Sequence, residues 1–348
     1  MRSSRFDDLA RSYDGLLVLS FGGPEGPDDV MPFLANVTRG RNVPRERLEE
    51  VAEHYHYRHF GGVSPINAQN RALIAAVKRE LVTHGPDLPI YFGNRNWAPF
   101  VTDVVRQMRD DGVQRALAFV TSAMSSYSGC RQYREDLARA CENVGPGAPR
   151  FDKLRVFYNH PGFISAMIDR KNAALHEIPE ERREEVRLIF TAHSIPVSMA
   201  RQSAYERQLR EASRLVAGEG VPFQIAFQSR SGPAHIPWLE PDILDVLDEF
   251  PEEGVRDVVL VPIGFISDHM EVLFDLDHEA KERAQTLGIR LVRAGTAGTH
   301  PAFVRMIRDL IVERMTPNPE RPFLGHRGPN HDLCPLRCCL LGSSPPAA

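Results

Sequence analysis

Short apolar runs alternate along the chain with longer stretches whose apolar residues recur at helical spacing. The runs Gly15–Phe21, Leu88–Gly93, 115–121, Leu154–Tyr158, Arg187–Ala192, Phe223–Gln228, 257–266 and Ile289–Ala294 are bounded by turn residues. They read as strands buried on both faces, because an exposed face would impose strict alternation. Between them, helical period is predicted for 27–34, 45–54, 67–81, 99–112, 131–142, 161–176, 203–217, 240–249 and 301–314. Strand–helix alternation implies parallel sheets with helices on both faces. The alternation starts afresh after Pro146. The expected fold is therefore α/β, with two Rossmann-like, doubly wound halves at 15–150 and 151–315. Residues 316–348, rich in proline, glycine and polar residues, read as a C-terminal tail. No sequence repeat relates the halves.

The stretch with the most chemistry is VVLVPIGFISDHMEVLFDLDHEAKE, from Val258 to Glu282. An apolar strand stops at Ser267 and Asp268, and helical period follows. Met270, Leu273, Phe274 and Leu276 give that helix an apolar side, while Glu271, Asp275 and Glu279 fall at i, i+4 and i+8. Glu282 extends the row. Like charges at this spacing repel by roughly 0.2–0.5 kcal/mol per pair. Such a ladder suits a relay for cations, and it begins at a strand end, where open α/β sheets bind ligands. Two features have a plainer account: Asp268 followed by Glu271 fits a capping box, and acidic residues complement the start of a helix. His193 closes RLIFTAH at the end of another predicted strand. A neutral imidazole there can ligate a divalent ion or accept a proton. Two strand ends of one sheet can bring His193 and Glu271 into one cleft. Nitrogen plus carboxylate donors suit Fe, Mn, Zn or similar ions without choosing among them.

A net charge of −4 gives no reason to expect nucleic acid. The longest apolar runs are about half the roughly 18 residues of a membrane span. Asp7, Asp8 and Asp14 ahead of GLLVLSF make a poor signal peptide, so a cytoplasmic location is expected. Cys334, Cys338 and Cys339 crowd into CPLRCC, with Cys130 and Cys141 mid-chain. In a reducing compartment such a cluster points to metal rather than disulfides. The histidines at 54, 56 and 59 are too irregular for a metal motif. GxSxG, HExxH, Walker A and GxGxxG are all missing from the chain.

Taken together, LLVLSFGGP, RGR, HFGGVSPIN, YFGNRNW, FTAHSIP, FQSRSG, WLEPD and PIGFISDHMEVLFDLDHE resemble the ferrochelatase family over nearly the whole chain. The resemblance implies a chelatase-like fold of two halves around a porphyrin cleft. It also implies insertion of ferrous iron, a substrate, into a porphyrin with release of two protons. It carries His193 and Glu271 over as catalytic residues and as metal-binding residues with Asp275 and Glu279. Porphyrin contacts are implied for Phe21, Arg39, Arg41, Ser64 and Tyr127, the arginines pairing with propionates. Some bacterial members have a tyrosine where this chain has Phe21, so a ligating role there is lost. CPLRCC resembles the cysteine cluster of members that carry a [2Fe–2S] centre, which needs four ligands. Cys334, Cys338 and Cys339 supply three of these and Cys130 resembles the fourth, leaving Cys141 spare. The alternative is a disordered tail with incidental thiols. GGPEGP, FGGVSPIN and GNRNW resemble the actinobacterial branch, which uses coproporphyrin III in heme biosynthesis; protoporphyrin IX is the alternative substrate. A non-catalytic tetrapyrrole or iron carrier and a cobalt or sirohydrochlorin chelatase are further alternatives. Transient contact with neighbouring heme-pathway enzymes is the other partner expected.

Overall fold

A computed structural model describes residues 11–41, 43–56, 60–233 and 235–342; His59 lies outside them. Eight strands are present among these residues: β1 (Gly15–Ser20), β2 (Ile90–Asn94), β3 (Arg115–Val120), β4 (Arg150–Lys153), β5 (Arg187–His193), β6 (Gln224–Gln228), β7 (Asp257–Val261) and β8 (Arg290–Arg293). They form two all-parallel sheets, ordered β2-β1-β3-β4 and β6-β5-β7-β8. The second sheet thus repeats the order of the first, a symmetry that leaves no trace in the side chains. The α/β fold with two parallel sheets is as expected.

Alternation along β1 shows why its residues had to be uniformly apolar. Leu16 and Val18 enter one core, Leu17 and Leu19 another, and all four are at most 1% exposed. The first of these cores is shared: Leu117 and Phe119 of β3 and Phe190, Val259 and Val261 of the second sheet belong to it. The helix Pro301–Met315 packs on both the helix Ile66–His84 and the helix Pro161–His176. Arg308 reaches Glu80 at 2.8 Å across that contact.

Two expectations about strands need correction. The run Leu154–Tyr158 is fully buried but is not a strand; β4 lies just before it, at Arg150–Lys153. Burial alone made that run apolar. The run 257–266 is a strand only to Val261. Beyond it, Gly264 N–H donates to Thr191 O at 3.0 Å, and the chain folds over Ala192. A Cβ on Gly264 would stand 2.6 Å from that of Ala192, so only glycine allows the crossing. The loop 262–269 is thereby laid beside His193.

The described part of the tail, to Gly342, is held against the body. Asn159 Nδ2 donates to Leu324 O and Gly328 O, Gln208 Nε2 to Asn330 Oδ1, and Arg155 Nη2 to Pro322 O. Arg155 itself is fully buried and pairs with Glu313 through two 2.8 Å hydrogen bonds. The two charges thus satisfy each other where neither could stand alone.

Candidate active site

In each sheet the strand order reverses beside the second strand, at β1/β3 and β5/β7. Crevices outside the carboxyl ends of such strands are where open sheets bind ligands. Phe21 follows β1, the segment Ser122–Tyr127 follows β3, His193 ends β5, and the loop 262–269 follows β7.

His193 Nε2 lies 3.4 Å from Glu271 Oε1. Its Nδ1–H donates to Ser194 O, and Tyr205 OH donates to the His193 carbonyl at 3.0 Å. The Nδ1 bond fixes the tautomer: in the neutral ring, the lone pair is on Nε2 and faces Glu271. The two side chains keep 29% and 41% of their surface open, yet they are crowded enough for burial to act on both. Burial pushes His193 down, but the Glu271 carboxylate outweighs it and lifts the imidazole to about 9. Burial pushes Glu271 up, but His193 outweighs it and brings the carboxyl to about 2. At neutral pH this is an imidazolium–carboxylate pair.

The acidic helix is not the regular helix that the spacing predicts. It is α-helical at Met270–Leu273, widens to a π-turn at Asp275–Ala280, and resumes at Lys281–Thr286. Glu279 N–H bonds to Phe274 O, five residues back. Its cap is also different: His269 Nδ1 accepts from Glu271 N–H at 3.2 Å, not Asp268. Asp268 instead receives Arg293 at 3.0 Å, and its N–H donates to Gln69 Oε1 at 2.8 Å. That last bond joins the loop to the helix Ile66–His84. The π-turn separates the row into two kinds of carboxylate. Asp275 is desolvated, accepts from Ser229 Oγ and lies near Glu271 and Glu279; burial, with those two charges, raises it to about 7. Glu279 is exposed, with burial of its carboxylate raising it above the usual range. Glu282 turns away to His278, at 3.3 Å.

Several residues around this pair carried no signal strong enough to single out. Tyr55 is held up by burial and then by Glu271 and Asp275, which places its phenol beside both carboxylates. Its neighbour His54 stacks on Phe274 at 3.9 Å. In HYHYRHF the irregular histidines alternate with three aromatic residues, Tyr55, Tyr57 and Phe60. Arg95, from YFGNRNW, pairs with Asp136 at 3.0 Å and lies 5.9 Å over the Phe21 ring and 5.5 Å over Tyr133. Phe21 also meets Phe33 edge-on at 6.1 Å. Ser64 is buried, its N–H on Pro24 O, and Tyr127 OH donates to Glu135 Oε2 at 2.9 Å. Arg39 and Arg41 stand exposed on the turn after the helix Val30–Val37, where Arg39 donates to Asn36.

Four of the five cysteines gather in a second group. Cys130 sits in a π-turn, Tyr127–Arg131, capped by Ser126 Oγ accepting from Gly129 N–H. Its thiol meets Cys334 and Cys339, while Cys338 meets Cys334 and Cys339. Hydrogen bonding from the neighbouring thiols pushes Cys130 and Cys338 down and Cys334 and Cys339 up. Arg131 Nη1 donates to Leu336 O at 2.7 Å and Cys338 O at 3.1 Å, fixing the tail over the π-turn. Cys141 points elsewhere, to Pro149 O. Four convergent thiols are the donor set an iron–sulfur centre requires.

The sequence profile of the ferrochelatase family matches residues 13–315. The chain belongs to the ferrochelatase family. Its members are enzymes that insert metal into porphyrin, with ferrous iron as substrate. A ferrochelatase of Rhodopirellula baltica is 56% identical over 94% of this chain and 93% of its own. A coproporphyrin III ferrochelatase of Streptomyces griseus is 52% identical over 97% and 96%, and one of Streptomyces coelicolor 51% over 97% and 96%. Among solved structures, SirB of Bacillus subtilis with Fe3+ has a TM-score of 0.51 at 13% identity, over 86% of this chain and 96% of its own. That is a likeness of fold. No described helix is long and apolar enough to cross a membrane.

Proposed function

We propose that this ferrochelatase inserts ferrous iron into coproporphyrin III to give Fe-coproporphyrin III in heme biosynthesis. The observation that carries the chemistry is the His193–Glu271 pair at a sheet edge with Asp275 and exposed Glu279 leading outward from it. The substrate rests on the relatives of Streptomyces and their coverage of the whole chain. The Rhodopirellula relative carries no substrate in its name, so protoporphyrin IX remains the second reading.

A porphyrin core loses two N–H protons for each Fe2+ that enters it, so the site must accept protons and pass a cation. In the resting pair, the proton sits on His193 Nε2 and Glu271 balances it. The approach of Fe2+ disfavours the imidazolium by like charge, and the proton leaves toward Asp275, poised near neutrality. His193 Nε2 is then free to take a pyrrole proton or to hold iron beside Glu271. Asp275 and Glu279 form the path by which iron arrives and protons depart. Phe21 lies against a macrocycle face, Ser64 and Tyr127 line the cleft, and Arg39 and Arg41 pair with propionates. In this reading, residues 15–150 and 151–315 are the two halves around the porphyrin and 316–348 the tail.

Cys130, Cys334, Cys338 and Cys339 would hold a [2Fe–2S] cluster, and their convergence supports that set. Bound, the cluster supplies one-electron redox capacity. The residues themselves brace the tail against the π-turn that carries Tyr127. Five free thiols suit a reducing compartment such as the cytoplasm, where transient contact with neighbouring heme-pathway enzymes would pass porphyrin and product.

An anaerobic assay with Fe2+ and equal coproporphyrin III and protoporphyrin IX tests the reading. Faster insertion into the four-propionate porphyrin is expected. A clear preference for protoporphyrin IX overturns the substrate, and binding without accelerated metallation would make the protein a carrier.

A further inference from the structure

Five soft donors, not four, meet at the tail. His331 Nε2 lies 3.8 Å from Cys338 Sγ, and its ligating atom, with those of Cys334 and Cys338, falls within a 4.8 Å group. Cys338 Sγ is in turn 3.5 Å from Cys339 Sγ. Donors bound to one tetrahedral ion at about 2.0–2.3 Å are roughly 3.5–3.8 Å apart; the His331–Cys338 and Cys338–Cys339 pairs have that separation, while Cys339 stands outside the 4.8 Å group and would turn toward the ion from beside Cys338. Cys339 takes φ +53°, an uncommon conformation for a side chain with a Cβ, and it keeps both adjacent thiols within reach of the site. Asp332, between His331 and the cysteines, is buried and held by Arg321, so the backbone presenting His331 is anchored.

We propose that His331, Cys334 and Cys338, with Cys339 as fourth donor, form a mononuclear site for a soft divalent ion such as Zn2+. It is occupied when the four cysteines do not hold a cluster. A Cys3His set is an ordinary structural zinc site, and it uses a histidine that the four-thiolate reading leaves idle. The two fillings share three thiolates and so exclude each other. Cys130 belongs to the cluster set alone and His331 to the mononuclear set alone. The site therefore closes the tail on itself with Zn2+, and ties it to Cys130 when a cluster is present.

The test is anaerobic titration of the full-length, reduced, cluster-free chain with Co2+, followed by displacement with Zn2+. Thiolate-to-cobalt charge transfer reports this site alone, because the His193 site has no thiol. One Co2+ per chain with tetrahedral thiolate bands is expected. His331→Ala should weaken binding at least tenfold, His331→Cys should restore it, and Cys130→Ser should leave it unchanged. Co2+ affinity and bands unaltered in His331→Ala, or Co2+ bound without thiolate bands, overturn the proposal. The cluster reading fails separately: reconstitution with iron and sulfide that yields no iron–sulfur absorption refutes it while cobalt binding stands.

Discussion

Asp275→Asn removes a charge that the fold holds at a cost, and the cost can be worked out. The carboxyl is raised from 3.8 to about 7, chiefly by burial and then by Glu271 and Glu279. The gap is about 3 pH units; at 1.36 kcal/mol each it corresponds to about 4 kcal/mol. Water at the rim and the charge shared with Glu271 reduce this, and about 2 kcal/mol is the working figure. Because the folded pKa lies above the unfolded one, the native state binds the extra proton between these values. The penalty is nil below pH 4, grows from pH 4 to 7 and is constant above. Asparagine keeps the shape and still accepts from Ser229, so the variant should be more stable at pH 8, by about 2 kcal/mol or about 3 °C in Tm. The gain should vanish toward pH 4. Paired thermal melts of metal-free wild type and variant from pH 4.5 to 8 measure it. The same change should slow iron insertion, as stability and function trade at strained sites. A stability difference that does not vary with pH, or a loss at pH 8, would refute the reasoning.

Glu271→Gln should drop the His193 pKa well below about 9, since burial is then opposed only by the Ser194 carbonyl and Asp275; an NMR titration of the imidazole reads this directly. In the wild type, the raised His193 stabilises the fold below about pH 6.5 and loses its effect as pH rises through about 9, while the lowered Glu271 loses its share as pH falls from 4.5 through about 2, so the variant should lose stability at pH 6 and little at pH 10. Cys130→Ser should abolish iron–sulfur absorption after anaerobic reconstitution, because one iron is left under-coordinated, whereas Cys141→Ser should retain it. The reverse pattern would show that Cys141 is the fourth ligand.

The strands were legible because burial on both faces writes itself as unbroken apolar sequence, as in Leu16–Leu19. The same logic misled at Leu154–Tyr158, where a buried non-strand segment has the same composition. The pattern shows His193 closing a strand and Glu271 opening the helix beyond a later one, but their mutual effect on pKa depends on a 3.4 Å contact that no periodicity encodes. The π-turn was hidden because one residue of extra turn width changes no residue type. Along it, the half-buried Asp275 is desolvated beside Ser229 and Glu279 is exposed. His331 stands three residues before Cys334, but four cysteines already satisfy a four-ligand centre, so composition alone gives the histidine no role. Arg95, Tyr55 and Tyr205 reach the site through tertiary packing alone.

The most direct test of the account is iron insertion by His193→Ala, with porphyrin binding measured in the same samples. Loss of a positioned proton acceptor costs about 10²- to 10⁴-fold. The account predicts at least a hundredfold slower insertion, with the porphyrin dissociation constant changed by less than about threefold, since His193 is assigned to protons and iron rather than to holding the macrocycle. Insertion at a near wild-type rate would contradict it.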